Sequence, residues 1–189
     1  SGPDAFTLAD ARALAQRRPR DAHKGTFGHL LVVGGSGWYA GAPFLAGQGA
    51  LRSGAGLVTV AVPRGCEPLC RVPAALIVRR LPDDGGGFLG RASSAALRGL
   101  VAGRQALVFG PGLGPAPEAL ECLGDSLDGA VPAVIDADAL RLLAACPSLT
   151  ARARAAMVLT PHPGEMAALL QGFGCRLAAS ASRAEQARA

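Results

Sequence analysis

Lysine is almost absent from this chain: Lys24 stands alone beside eighteen arginines, in a sequence of net charge +5. Aromatic residues are nearly as scarce, at 4%, with a single Trp and a single Tyr. Nucleic-acid-binding faces combine clustered cations with stacking rings. Here the basic residues are scattered without such rings, so no nucleic-acid partner is expected. No apolar run approaches the roughly 20 residues of a membrane span, and the opening residues lack the apolar core of a secretion signal. No membrane partner is expected either. The five cysteines, Cys66, Cys70, Cys122, Cys146 and Cys175, include no CxxC pair and are odd in number. That excludes a complete disulfide framework and a zinc-ribbon pattern, and points to a reduced, cytoplasmic protein.

What is present is apolar alternation punctuated by glycine. At 189 residues the chain has the length of one domain, residues 1–189, with a real core. The organising stretch runs from Leu30 to Arg52. Leu30 to Val33 enter a bend at Gly34, Gly35 and Gly37, and Ala42, Leu45, Ala46, Gly49 and Ala50 then recur at helical spacing. The bend therefore joins a strand to a helix. At such an entrance unpaired N–H groups and the helix dipole can hold an anion or a sugar hydroxyl, although an ordinary tight turn would look the same.

Before this stretch, Thr7 and LADARALAQ predict a capped helix ended by the basic run at Arg17 to Arg20, and HKGTFG reads as a loop. After it, strands are predicted at Leu57 to Val62, Ala75 to Leu81, Ala106 to Phe109, Ala133 to Ile135 and Met157 to Leu159, with a turn at Asp84 to Gly87. Helices are predicted at Ser93 to Ala102, Glu118 to Leu127, Asp138 to Ala145 and from the TPHPGE segment to Leu170. Short strands alternating with helices give an α/β fold, a mainly parallel sheet with helices on both faces. GGSGWYAGA, GPGLG, DAD and TPHPGE each follow the end of a predicted strand, the edge of a parallel sheet where ligands bind.

The residue types in these loops suit binding more than covalent catalysis. GPGLG lets a backbone approach a ligand closely, or is simply a turn. Asp136 is placed to face the crevice, whereas Asp138 reads as a cap for the next helix. Two prolines stiffen TPHPGE, so His162 either meets a ligand amide or is a surface-loop histidine. Glu165 reads as a ligand for Mg²⁺, direct or through water, or as a helix-start carboxylate. Ser36 has no evident His partner and the cysteines lie outside the loops, so no nucleophile–base pair is indicated. Lys24 is either a chemical exception, its compact ammonium differing from a guanidinium, or a by-product of arginine-rich codon usage.

Taken in order, HKGTFGHLLVVGGSGWYAGA, ALRSGAGLVTVAVP, GPGLG, VIDADAL and LTPHPGE resemble the ADP- or ATP-dependent NAD(P)H-hydrate dehydratases of the ribokinase-like superfamily. The matching span, His23 to Glu165, covers about three quarters of the chain. The resemblance implies a repair enzyme that takes NADHX or NADPHX, in which water has added to the reduced nicotinamide ring, back to NADH or NADPH. The hydroxyl would be phosphorylated from ADP or ATP with Mg²⁺ and then lost as phosphate. By similarity Ala42, Gly114 and His162 line the substrate site, and Glu165 takes the place of the superfamily's magnesium-associated glutamate, with His162 where that motif has Asn. Ser36 and Asp136 are added as substrate contacts and Lys24 as a nucleotide contact. The family also implies a homo-oligomer, commonly a tetramer.

Members of the family continue into an LKG strand and a GxGD loop that carries the presumed catalytic base, and this chain has neither. It is therefore expected to be a dehydratase domain incomplete at its carboxyl end, inactive by itself. Its Ser1 start also fits a longer chain in which an NAD(P)HX epimerase domain comes first. Two rivals stay open: a small-molecule kinase of the same superfamily, and a non-catalytic nucleotide-binding module.

Overall fold

A computed structural model describes residues 7–14, 18–66, 72–83, 85–176 and 181–188. Cys70, Asp84 and the expected end of the first helix at residues 15–17 lie outside them. Six strands form one sheet in the order β3-β2-β1-β4-β5-β6, with every neighbouring pair parallel. They are β1 (His29–Val33), β2 (Leu57–Pro63), β3 (Ile77–Leu81), β4 (Ala106–Phe109), β5 (Ala133–Ile135) and β6 (Met157–Leu159). The helices are α1 (Leu8–Leu14), α2 (Ala42–Ser53), α3 (Arg91–Val101), α4 (Ala119–Leu127), α5 (Asp138–Ala145), α6 (Pro163–Gly172) and α7 (Arg183–Gln186). The α/β architecture expected from the alternation is the one observed.

Period-two alternation divides the apolar residues between two layers. Leu31, Val33, Leu107, Phe109 and Ile135 face the layer of α3, α4, α5 and α6, where Leu97, Leu123, Leu140 and Leu169 are buried against them. Val32, Val58, Val60 and Val62 face the opposite way, onto Phe44 of α2 and onto Leu76. Because both faces are covered at the centre, β1 is apolar after His29 and β2 is apolar apart from Thr59. The cover on the second face thins toward β6. Val32, Val108, Val134 and Val158 align in register across four strands. The first is fully buried, the next two are half-buried, and Val158 is 57% exposed.

Local chemistry sets the helix ends. Thr7 and Asp10 cap α1 reciprocally, the Asp10 N–H donating to Thr7 Oγ1 at 3.3 Å and the Thr7 N–H to Asp10 Oδ2 at 2.8 Å. The SGAG stop signal holds, since α2 ends with Gly54 as its C-cap. Two segments differ from expectation. HKGTFG holds a 3₁₀ helix, Lys24–Phe27, and a second 3₁₀ helix spans Pro147–Arg152. No helix among the described residues is long and apolar enough to cross a membrane, and no disulfide joins the cysteines among them.

Candidate functional site

The strand order reverses between β1 and β4. From β1 the chain passes through α2 to β2 on one side, while β4 leads to β5 on the other. The loops leaving their carboxyl ends, residues 34–41 and 110–118, therefore diverge and open a crevice, the place where parallel sheets bind ligands. The loops after β5 and β6 continue the same rim.

These four loops are knitted together. A Cβ on Gly34 would lie 2.2 Å from the Pro111 carbonyl oxygen, and the Gly35 N–H donates to that oxygen at 2.8 Å. Gly110 has φ 130, and a Cβ there would lie 1.8 Å from the Asp136 carbonyl oxygen. Glycine at these two positions lets three loops touch through their backbones. Two side-chain bonds complete the seam: Gly114 N–H donates to Asp138 Oδ2 at 2.9 Å, and Thr160 Oγ1 donates to Asp136 Oδ1 at 2.7 Å. Ala42, Gly114, Asp136 and His162 thus come from four loops of one rim.

Their individual settings differ. Ala42 is the exposed first residue of α2, beside Gly112, and no side chain caps that helix start. Ser36 is fully buried; its Oγ accepts N–H bonds from Trp38 at 3.4 Å and Tyr39 at 3.1 Å. It is placed to shape the loop, not to reach into the crevice. Asp138, read as a helix cap, instead crosses to the loop after β4; the residue in the cap position is Ala137. His162 Nδ1 accepts the N–H groups of Gly164 and Glu165 at the start of α6, while Glu165 Oε2 accepts the N–H of His162 at 2.9 Å. With Nδ1 an acceptor, the ring proton of neutral His162 resides on Nε2, 3.2 Å from Glu165 Oε1. The two residues thus cap α6 reciprocally, the helix-start setting read for Glu165.

Lys24 is not brought to this rim. It precedes β1, and the 3₁₀ helix it opens is tied to the residues ahead of β2 by the Gly56 N–H donating to Phe27 O at 3.1 Å. It therefore sits at the amino edge of the sheet, the length of β1 away, about 16 Å at 3.3 Å per residue. Cys66 also departs from expectation: it lies beneath the first loop, 3.0 Å from where a Gly35 Cβ would be. Burial raises its thiol pKa against the opposing influences of Arg80 and a bond with the Ser36 backbone.

Magnesium fits the described residues poorly. Glu165 is 8% exposed, both its oxygens face His162, and no three acidic, His or Cys side chains converge among the described residues. A hard cation needs several oxygen ligands, which this rim does not supply.

Sequence reasoning passed over Trp38, Tyr39, Phe88 and Arg141. Trp38 meets Phe88 edge to face, with ring centroids 5.4 Å apart and planes at 78°. Tyr39 and Arg141 border a cavity of about 280 Å³ together with Gly114, Pro115 and Asp138. The one available signal was the position of the chain's only Trp and Tyr inside the first loop.

The chain resembles proteins of known family along most of its length. The sequence model of the NAD(P)H-hydrate dehydratase family matches residues 30–189. A bifunctional NAD(P)H-hydrate repair enzyme from Moorella thermoacetica is 41% identical over 167 residues, 87% of this chain and 32% of that protein. One from Coxiella burnetii is 40% identical over 162 residues, 86% of this chain and 30% of that protein. Among solved structures, the ADP/ATP-dependent NAD(P)H-hydrate dehydratase of Bacillus subtilis, co-crystallised with ATP and Mg²⁺, superposes with TM-score 0.67 at 29% identity, covering 87% of this chain and 55% of that one. A ribokinase-like superfamily protein from Enterococcus faecalis superposes with TM-score 0.64 at 26% identity, covering 81% and 51%. The chain thus spans about a third of these curated relatives and about half of these solved chains.

Proposed function

This chain belongs to the NAD(P)H-hydrate dehydratase family, with a ribokinase-like fold, and we propose that its rim holds NADHX or NADPHX for ADP- or ATP-dependent dehydration to NADH or NADPH. The observation that carries this reading is the joining of the four loops through Gly35, Pro111, Gly114, Asp138, Asp136 and Thr160 at the strand-order reversal. Ala42, Gly114, Asp136 and His162 line the substrate site, and Ser36 shapes it from below.

The chemistry is a hydro-lyase reaction made feasible by phosphoryl transfer. Hydroxide is a poor leaving group. The ring hydroxyl oxygen takes the terminal phosphoryl group of ADP or ATP, losing its proton, and the C–O bond then breaks with phosphate as the leaving group while the adjacent ring carbon gives up a proton to form the C=C bond. Such transfers depend mainly on positioning and charge neutralisation. The start of α2 offers backbone N–H groups for orientation, while Gly114, its own N–H held by Asp138, lets the backbone approach the ligand closely. Mg²⁺ enters with the nucleotide phosphates, since the described residues provide no cage. We place the protein in the cytoplasm. Residues 1–189 form one dehydratase domain in this reading, with an epimerase domain as a partner in the same polypeptide, in keeping with the bifunctional relatives; homo-oligomers up to tetramers fit the family.

Calorimetric titration with NADHX and NADPHX tests the reading directly. Saturable heat with at least one of them is expected; heat with neither would sink it. Product analysis in the presence of ADP or ATP separates dehydration, which yields NADH, from a kinase reaction, which leaves a stable phosphate ester.

A further inference from the structure

The chain's single Trp and single Tyr are neighbours, Trp38 and Tyr39, on the loop that borders the crevice. They are 66% and 55% exposed. Large rings contribute most when removed from water, so two left on the rim forgo that stabilisation until something covers them.

They are nevertheless held in place. Ser36 Oγ accepts both their N–H groups, and the Gly37 N–H donates to Gly87 O at 2.8 Å. Phe88, packed against Gly114 and the core, meets the Trp38 ring at 78°. An edge-to-face contact leaves the indole mostly uncovered, in keeping with its 66% exposure. Tyr39 borders the cavity of about 280 Å³ that Arg141 also lines. Arg141 makes no ion pair or hydrogen bond among the described residues, and the Asp138 oxygen nearest the loop is engaged by Gly114.

We propose that Trp38 and Tyr39 form a stacking platform for the planar nitrogen heterocycle of a nucleotide, with Arg141 placed to meet its phosphate. The proposal rests on the dinucleotide reading above and assigns the residues that grip the ring. Aromatic faces stack on any base, and a guanidinium pairs with phosphate through parallel N–H donors. The ring can belong to the adenine half of the ligand or to the nicotinamide half, which is puckered in the hydrate and becomes planar once water is lost.

The 189-residue chain carries its own probe, because intrinsic tryptophan fluorescence reports on Trp38 alone. Titration with nicotinamide mononucleotide and with AMP is expected to change that emission saturably for one of them, which identifies the stacked half. By calorimetry with NADHX, Trp38→Ala is expected to lose about tenfold in affinity and Trp38→Phe less than about threefold, the range of single-base stacking. Arg141→Gln should weaken the mononucleotide that stacks but not its nucleoside. Trp38 is exposed, so an unchanged unfolding midpoint confirms that the variants fold. NADHX binding of equal strength in wild type and Trp38→Ala overturns the platform and leaves the dinucleotide reading standing. No binding of any of these ligands to the wild type overturns both.

Discussion

Asp138 Oδ2 accepts the Gly114 N–H at 2.9 Å, so a carboxylate at the start of α5 fixes the loop that follows β4. Gly114 is buried and Asp138 half-buried, which leaves that N–H dependent on this one acceptor. Hydrogen bonds to charged groups contribute about 1.5–3 kcal/mol, and partial exposure brings the expected loss in Asp138→Ala to about 1–2 kcal/mol in urea unfolding. Asp138→Asn keeps an acceptor and should lose less than half of that. Dinucleotide affinity should follow the same order, because the loop lines the rim.

The sheet was legible in the sequence because a strand buried on both faces is mostly apolar, as Leu30 to Val33 and, Thr59 apart, Leu57 to Val62 are. The rim was legible for a related reason, since four unusual segments each followed a strand end. Side-chain destinations were not. Asp138 reads as a helix cap in the sequence, and only the approach of the loop after β4 shows that it binds Gly114 instead. Ser36 looked available because nothing local shows that residues 37–39 fold back over its hydroxyl. Lys24 stands out by composition alone, which carries no position, and a residue ahead of a five-residue strand emerges at the end of the sheet opposite the rim.

Glu165 and His162 cap α6 reciprocally, so Glu165→Ala should destabilise the protein by about 1 kcal/mol, the usual worth of such a cap. Glu165→Gln retains the acceptor and should stay near wild type. Mg²⁺ added without nucleotide should leave the thermal midpoint unchanged, since ligands stabilise only in proportion to their binding. A midpoint that rises with Mg²⁺ alone would show a cation site that the present geometry does not provide.

Asp125 joins α3, α4 and the 3₁₀ helix at Pro147–Arg152. It accepts from Ser94, from Arg98 at 2.6 Å and from Arg152 at 3.1 Å, while Arg152 also pairs with Asp128. Burial alone would raise the Asp125 pKa, but the bonds from Ser94, Arg152 and Arg98 outweigh it and hold the carboxyl below its ordinary 3.8. A depressed folded-state pKa means the contribution is present above that unfolded value and lost as pH falls through the folded one. Urea midpoints should therefore decline below about pH 4, and Asp125→Asn should flatten that decline.

His29 works the same way at higher pH. Its Nδ1 lies 2.5 Å from Arg104 Nη1, an obligate donor, so Nε2 carries the proton and donates to Thr59 Oγ1 at 2.8 Å. Burial and then the Arg104 charge lower the His29 pKa from 6.5. The unfolded chain takes up a proton first, so stability declines as pH falls from 6.5 toward the lowered folded value. His29→Gln, which can still bridge the two partners, should remove that part of the slope in a series of thermal midpoints between neutral pH and pH 5.

Val158 marks where the cover of the sheet runs out. Its register partners Val134 and Val108 are half-buried and Val32 is fully buried, whereas Val158 is 57% exposed on a strand with no outer neighbour among the described residues. An unpaired edge that carries apolar side chains recruits another chain, and a lysine there blocks such pairing. The 189-residue chain should therefore elute larger than a monomer as its concentration rises, and Val158→Lys should return it to the monomer position. Leu45→Lys, at a 72% exposed site on α2, controls for added charge and should leave the association intact. A wild-type chain that stays monomeric across the whole range, or a Val158→Lys chain that associates as before, would mean that this edge is not where the chains meet.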